Sequence, residues 1–183
     1  RLEQLNIPVF AVSTFDISSV MASIELLGEL LHAQREAEKL TGHMSSRIKR
    51  VRTRAADIPQ RPRVFFQIGA SPIVSVGTYT CIHRMIKTAG GENIAKGQTP
   101  YPRFSCEQVL AHAPEVIIIT SMGGSPAAVK ARQMWLQWKD IPAACSRRVH
   151  VVDSDVFDRP GPRMVKGLEI LAQLLHPEEF GDE

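Results

Sequence analysis

Apolar residues recur at Val20, Ile24, Leu27 and Leu31, spacings of four, three and four that predict an amphipathic helix starting near Asp16 or Ser18. A break near His32 follows. The stripe resumes through Ala37, Leu40, Met44, Ile48 and Val51 and predicts a second helix over residues 33–54, a rod of roughly 33 Å at 1.5 Å per residue. Gly42 inside it costs about 1 kcal/mol relative to alanine. A single apolar stripe means that one side of the rod packs and the other stays wet.

Two prolines within Ile58-Pro59-Gln60-Arg61-Pro62 exclude helix and mark a linker. From Val64 onward the period changes. Val64-Phe65-Phe66-Gln67-Ile68 reads as a strand and runs into the turn Gly69-Ala70-Ser71-Pro72. A short strand over residues 73–76 closes at Gly77, and Thr78 or Thr80 caps a helix whose apolar face is Ile82, Met85, Ile86 and Ala89. Gly90-Gly91 ends that helix, because glycine takes the left-handed conformation of a helix C-terminus at little steric cost.

A loop carrying Pro100-Tyr101-Pro102 comes next, stiffened by prolines on both sides of one aromatic ring. Tyr101 either packs back on this loop or faces outward as a contact surface. Ser105 with Gln108 three residues on forms a capping-box pattern, and Pro114 stops the short helix. Val116-Ile117-Ile118-Ile119 is a continuous apolar run of the kind buried on both faces of a parallel sheet. A glycine-containing loop over residues 121–126, a helix with Val129, Met134 and Trp135, a strand over residues 149–152, a turn-rich loop over residues 153–162 and a last helix through Val165, Leu168, Leu171, Ala172 and Leu175 complete the chain. Strands alternating with helices predict an α/β fold with a parallel sheet. The opening differs: Arg1-Leu2-Glu3-Gln4-Leu5 reads as the tail of a helix, ended by Asn6, and residues 7–12 read as a strand. Such an opening points to a longer parent protein, and an unpaired apolar strand predicts self-association.

Bulk properties narrow the function classes. With 183 residues and a formal net charge of +3, the chain gives no electrostatic case for nucleic acid. Its local basic run (Arg47, Lys49, Arg50, Arg52, Arg54, Arg61, Arg63) reads as the solvated side of the long helix. Three cysteines without C-x-x-C spacing argue against a complete disulfide framework and against structural zinc, and six scattered histidines form no metal-ligand pair. No G-x-G-x-x-G, Walker lysine or G-x-S-x-G occurs, so an enzyme is poorly supported. What recurs instead is a set of loops at strand carboxyl ends, bearing Ser71-Pro72, Tyr101, Met122 and the Asp155-Phe157-Arg159 group. Asp155 and Arg159 either pair with each other or offer a carboxylate and a guanidinium to a ligand, with Phe157 as an apolar face.

Arg63 to Gly69 followed by Gly77, then Ala89-Gly90-Gly91-Glu92-Asn93-Ile94, Pro102 with Ser105-Cys106-Glu107-Gln108-Val109-Leu110, and Pro114-Glu115-Val116-Ile117-Ile118-Ile119 resemble the periplasmic binding proteins of ABC importers for cobalamin, haem and iron-siderophores, most closely the cobalamin binders. The ending Asp-x-Phe-x-Arg before a last helix is similar too. The resemblance covers almost the whole chain. It implies two α/β lobes joined by a long helix, with residues 1–15 a remnant of the first lobe, 16–58 the helical segment and 59–183 the carboxyl-terminal lobe. It implies a corrinoid, haem or ferric-siderophore ligand, an ABC permease as partner, and a periplasmic or lipid-anchored parent whose export signal lies outside this chain. Residue by residue, it implies ligand contacts at Tyr101, Asp155, Phe157, Arg159, Pro72 and Val74, and permease docking by Glu107. Val74 stands where the cobalamin binders have a phenylalanine. The rival expectation is a stand-alone α/β regulatory domain that dimerises through its long helix.

Overall fold

The computed structural model describes residues 2–12, 14, 16–97 and 99–181. Helix α1 (Ile17–Leu30) starts where Asp16 accepts the Ser19 backbone N–H and the Ser19 hydroxyl closes the reciprocal box. It turns at His32 (φ 54°) into α2 (Gln34–Ala56). The two helices lie close: a Cβ on Gly28 would come within 2.5 Å of the Ala37 Cβ.

Strand β1 (Arg63–Ala70) folds back antiparallel on β2 (Ile73–Ser75), and β2 pairs antiparallel with β4 (Arg103–Phe104). Between them lie α3 (Cys81–Thr88), capped by Thr80, and β3 (Glu92–Asn93), which pairs parallel with the start of β1. Helix α4 (Cys106–Ala111) carries the expected Ser105–Gln108 capping box. Strand β5 (Val116–Ser121) runs parallel to β1 on one side and to β6 (Val149–Asp153) on the other, with α5 (Pro126–Gln137) and α6 (Pro142–Cys145) between β5 and β6. Helices α7 (Met164–Leu175) and α8 (Pro177–Phe180) finish the chain. The sheet order is β4-β2-β1-β5-β6 with β3 beside β1, so an antiparallel edge is added to the expected parallel sheet.

Side chains alternate across the central strands and create two cores. Val64, Phe66, Val116 and Ile118 face α2, α3 and α7; Phe65, Ile117 and Ile119 face α4, α5 and α6. Met44, Val51 and Ala55 of α2 are buried in the first core, so the carboxyl-terminal half of the long helix packs its apolar stripe against the sheet and α7. The basic run is also largely accounted for. Arg47 forms a two-pronged pair with Glu169, Arg54 lies over the Phe180 ring, and Arg63 reaches Glu115 at 3.6 Å.

Four expectations are corrected. Residues 7–12 are extended but form no strand, and Ile7, Val9, Phe10 and Val12 are exposed; no strand among the described residues offers them a ladder. Of the predicted apolar stripe on α1 only Val20 is buried, and Leu27 and the C-cap Leu31 are exposed. On α2 Leu40 is exposed while Thr41 is buried. On α5 the buried positions are Ala128, Ala131 and Trp135, with Val129 outside. Among the described residues, no helix is long and apolar enough to cross a membrane.

Candidate functional site

Parallel strands end along one edge of a sheet, and loops from β1, β5 and β6 therefore gather there. At this edge lies a hollow of about 310 Å³. Its floor is apolar, formed by Ile68 at the end of β1, Val76, Phe157 and Met164, and Tyr79 and Tyr101 stand on its rim, 67% and 60% exposed.

Tyr101 is held by backbone rather than by its own ring. Ser75 N–H donates to the Pro102 carbonyl at 2.9 Å and Gly77 N–H to the Pro100 carbonyl at 2.7 Å, extending the β2–β4 pairing along the loop. The approach is so close that a Cβ at residue 77 would lie 2.0 Å from the Thr99 carbonyl oxygen. Only glycine fits. The Tyr101 ring faces outward instead of being buried against its own loop.

The loop after β6 supplies the second wall. Asp153 accepts the Asp155 N–H and starts a 3₁₀ turn over Ser154–Val156, and the Phe157 and Asp158 amides both return to the Ser154 carbonyl. Helix α7 presses on this turn through Gly167, whose added Cβ would meet the Val156 carbonyl at 2.6 Å. Phe157 is 2% exposed and sits edge-on to Phe66 at 5.5 Å between centroids. The ring belongs to the core and gives the hollow only an edge of its floor. Asp155 and Arg159 pair with each other at 3.3 Å, four residues apart on the loop.

Two groups at the hollow were not foreseen. Tyr79 lies between two threonines just before the capped helix α3, a strand-to-helix position that marks it in retrospect. Asp158 lines the mouth, where desolvation raises its carboxyl above the usual range although its side chain still reaches solvent. Cys81, also at the hollow, has a thiol pushed up to about 12, first by burial and then by the Asp16 charge.

Pro72 and Val74 belong to the β1–β2 hairpin and do not line this hollow; Val74 is half-buried opposite Gly69 and Arg103. Glu107 is exposed in the first turn of α4, six residues beyond Tyr101. The Ser105 hydroxyl, and then its own backbone N–H, hold its carboxyl below the ordinary value.

Comparison with known proteins places this geometry. The family model described as "Periplasmic binding protein" matches residues 1–156. The uncharacterized ABC transporter substrate-binding lipoprotein YvrC of Bacillus subtilis is 30% identical over 184 aligned residues, covering 98% of this chain and 57% of that protein. The periplasmic vitamin B12 binding protein BtuF of Vibrio cholerae superposes with a TM-score of 0.80 at 26% identity, over 100% of this chain and 69% of that one. The periplasmic heme-binding protein BhuT, solved with two hemes, superposes with a TM-score of 0.83 at 25% identity, over 96% of this chain and 69% of that one. The chain therefore spans little more than half the length of the Bacillus relative. On the family match and the shared fold, the chain belongs to the periplasmic binding protein family.

Proposed function

We propose that this chain is part of the substrate-binding component of an ABC importer, and that it captures a corrinoid, with haem or a ferric siderophore as the alternative ligand, for delivery to a membrane permease. The observation that carries this reading is Tyr101, an exposed ring pinned by backbone hydrogen bonds at the edge of an apolar hollow where the strand ends meet. A flat conjugated macrocycle stacks on such a ring and covers the apolar floor. A hollow of about 310 Å³ takes only one side of so large a ligand. The complete cleft then needs a second lobe, of which residues 1–15 are the remnant.

The roles follow from chemistry. Tyr101 supplies the stacking face, with Phe157 beneath it as floor. Asp155 and Arg159 exchange their mutual pair for contacts to the ligand's amide or carboxylate edge. Pro72 and Val74 contact the part of a large ligand that extends past the hollow, over the hairpin. Binding needs no chemical step, so the protein acts as a carrier and not as an enzyme. The setting is the periplasm or the cell surface, consistent with the kinds of protein it resembles.

Glu107 is the docking carboxylate. It is exposed, near Tyr101 in sequence yet on a different element, and can meet a permease cation while the ligand stays in the cleft. Glu107→Arg is expected to abolish transport in cells while leaving ligand affinity in solution unchanged. Normal uptake by that variant sinks the docking assignment; loss of affinity relocates Glu107 to the ligand site.

A further inference from the structure

A second hollow of about 400 Å³ lies against the side of α3 that carries His83 and Lys87, four residues apart, and is closed by β3 and the segment after it. Its chemistry is unlike that of the tyrosine-rimmed site. Arg61, Lys87 and Lys96 line it against one carboxylate, Glu92. Glu92 is committed to Lys96 at 2.6 Å, whereas Arg61 and Lys87 have no carboxylate partner among the described residues.

Asn93 fixes the state of His83. Its Oδ1 accepts the Ala95 backbone N–H at 3.0 Å, which sets the amide orientation. Its Nδ2 then donates one hydrogen to the Val76 carbonyl at 2.7 Å and directs the other at Nδ1 of His83, 3.1 Å away. Nδ1 is therefore an acceptor, and the neutral ring carries its proton on Nε2. His83 is 9% exposed, and its Nε2 has no hydrogen-bond partner among the described residues. It is also not sealed off in the way Nε2 of His176 is, so its remaining opening is the hollow that His83 lines. Burial first, then the Lys87, Arg84 and Lys96 charges, keep the ring below its ordinary pKa and hence neutral at pH 7.5. A buried N–H donor thus stands at the base of a groove whose walls carry uncompensated positive charge.

We propose that this groove is a binding site for a phosphate-type oxyanion, held by the Nε2–H of His83 and by the side chains of Lys87 and Arg61. The donors suit several anionic oxygens at once, and no hydrophobic residue lines the groove among the described residues. The same chemistry is offered by free inorganic phosphate and by the phosphodiester of a lipid headgroup. This site is separate from the proposed ligand cleft and does not depend on it.

The test is a titration with sodium phosphate at pH 7.5 and constant ionic strength, following the His83 side-chain resonances by heteronuclear NMR, with sodium chloride in parallel. Saturable shifts of the His83 Nε2 and Cε1 signals with phosphate and not with chloride are expected. Lys87→Gln, an exposed substitution that leaves the core intact, should weaken the apparent Kd by about tenfold, the size of one charge-assisted contact. Shifts identical to those in chloride, or a Lys87→Gln titration matching wild type, overturn the site. Co-sedimentation with phosphatidylglycerol vesicles separates the two sources. Vesicle binding that free phosphate displaces and Lys87→Gln abolishes assigns a headgroup, and phosphate binding without co-sedimentation assigns a free oxyanion. Vesicle binding indifferent to both phosphate and Lys87→Gln contradicts the proposal.

Discussion

Replacing Gly77 by alanine tests how Tyr101 is presented. The new methyl would start 2.0 Å from the Thr99 carbonyl oxygen, and real Cβ contacts essentially never fall below 3.0 Å, so the loop must retreat by about an ångström. That retreat breaks the 2.7 Å bond from Gly77 N–H to Pro100 and loosens the 2.9 Å bond from Ser75 N–H to Pro102. At about 1 kcal/mol net for each hydrogen bond, the expected loss is about 2 kcal/mol. For a chain of this size that is a Tm decrease of about 4–8 °C. The assay is thermal unfolding together with amide exchange at residues 75 and 77, whose protection should fall selectively while that of β5 scales only with global stability. The Tyr101 ring loses its fixed place, and ligand affinity falls with it. A Gly77→Ala protein with unchanged Tm and unchanged exchange at both amides would refute the claim that this close approach holds the ring.

Three further outcomes are expected. Gln67→Leu removes the acceptor of the Trp135 Nε1–H, bonded at 2.7 Å in a buried site, and should destabilise the protein by about 1–3 kcal/mol in urea unfolding followed by Trp135 fluorescence; an unchanged midpoint contradicts this. His83, His150 and His176 all have folded pKa values lowered, first by burial, so below the ordinary 6.5 the unfolded chain binds more protons than the native one. Stability should therefore be full above that value and fall as the pH drops through it toward the folded values; a urea midpoint that is flat between pH 7.5 and 5.5 rules this out. With its thiol near 12 and half-buried, Cys81 should react with a disulfide reagent at pH 8 far more slowly than exposed Cys145, as mass spectrometry of the labelled peptides would show. Equal labelling of the two would count against the burial assigned to Cys81.

Elements whose cause is local were legible in the sequence. The Ser105 cap, the Gly90-Gly91 helix end and the β5 run each depend on a few adjacent residues and are found where the pattern predicts them, and of the two candidates for each of the other caps Asp16 and Thr80 are the ones used. Periodicity located α2 within two residues at each end. Features set by distant segments were not legible. The antiparallel edge β2–β4 depends on backbone contact between residues 75–77 and 100–102, about 25 positions apart. Phe157 looks like a loop aromatic in sequence, yet Phe66 and α7 draw it into the core. Tyr79 and Asp158 acquire meaning only when α3 and the loop after β6 meet at one hollow. Residues 7–12 are an apolar run that reads as a strand, but a strand exists only when a neighbour supplies its hydrogen bonds.

The central claim is that a large conjugated ligand stacks on Tyr101. The most direct measurement is a tryptophan-fluorescence and absorbance titration of the gene product in full against cobalamin, cobinamide, haemin and a ferric siderophore, with Tyr101→Ala alongside. Saturable binding of one of these, weakened at least about tenfold by Tyr101→Ala through the lost stacking face, is the predicted result. Binding of none of them, or equal affinity in the variant, would contradict it.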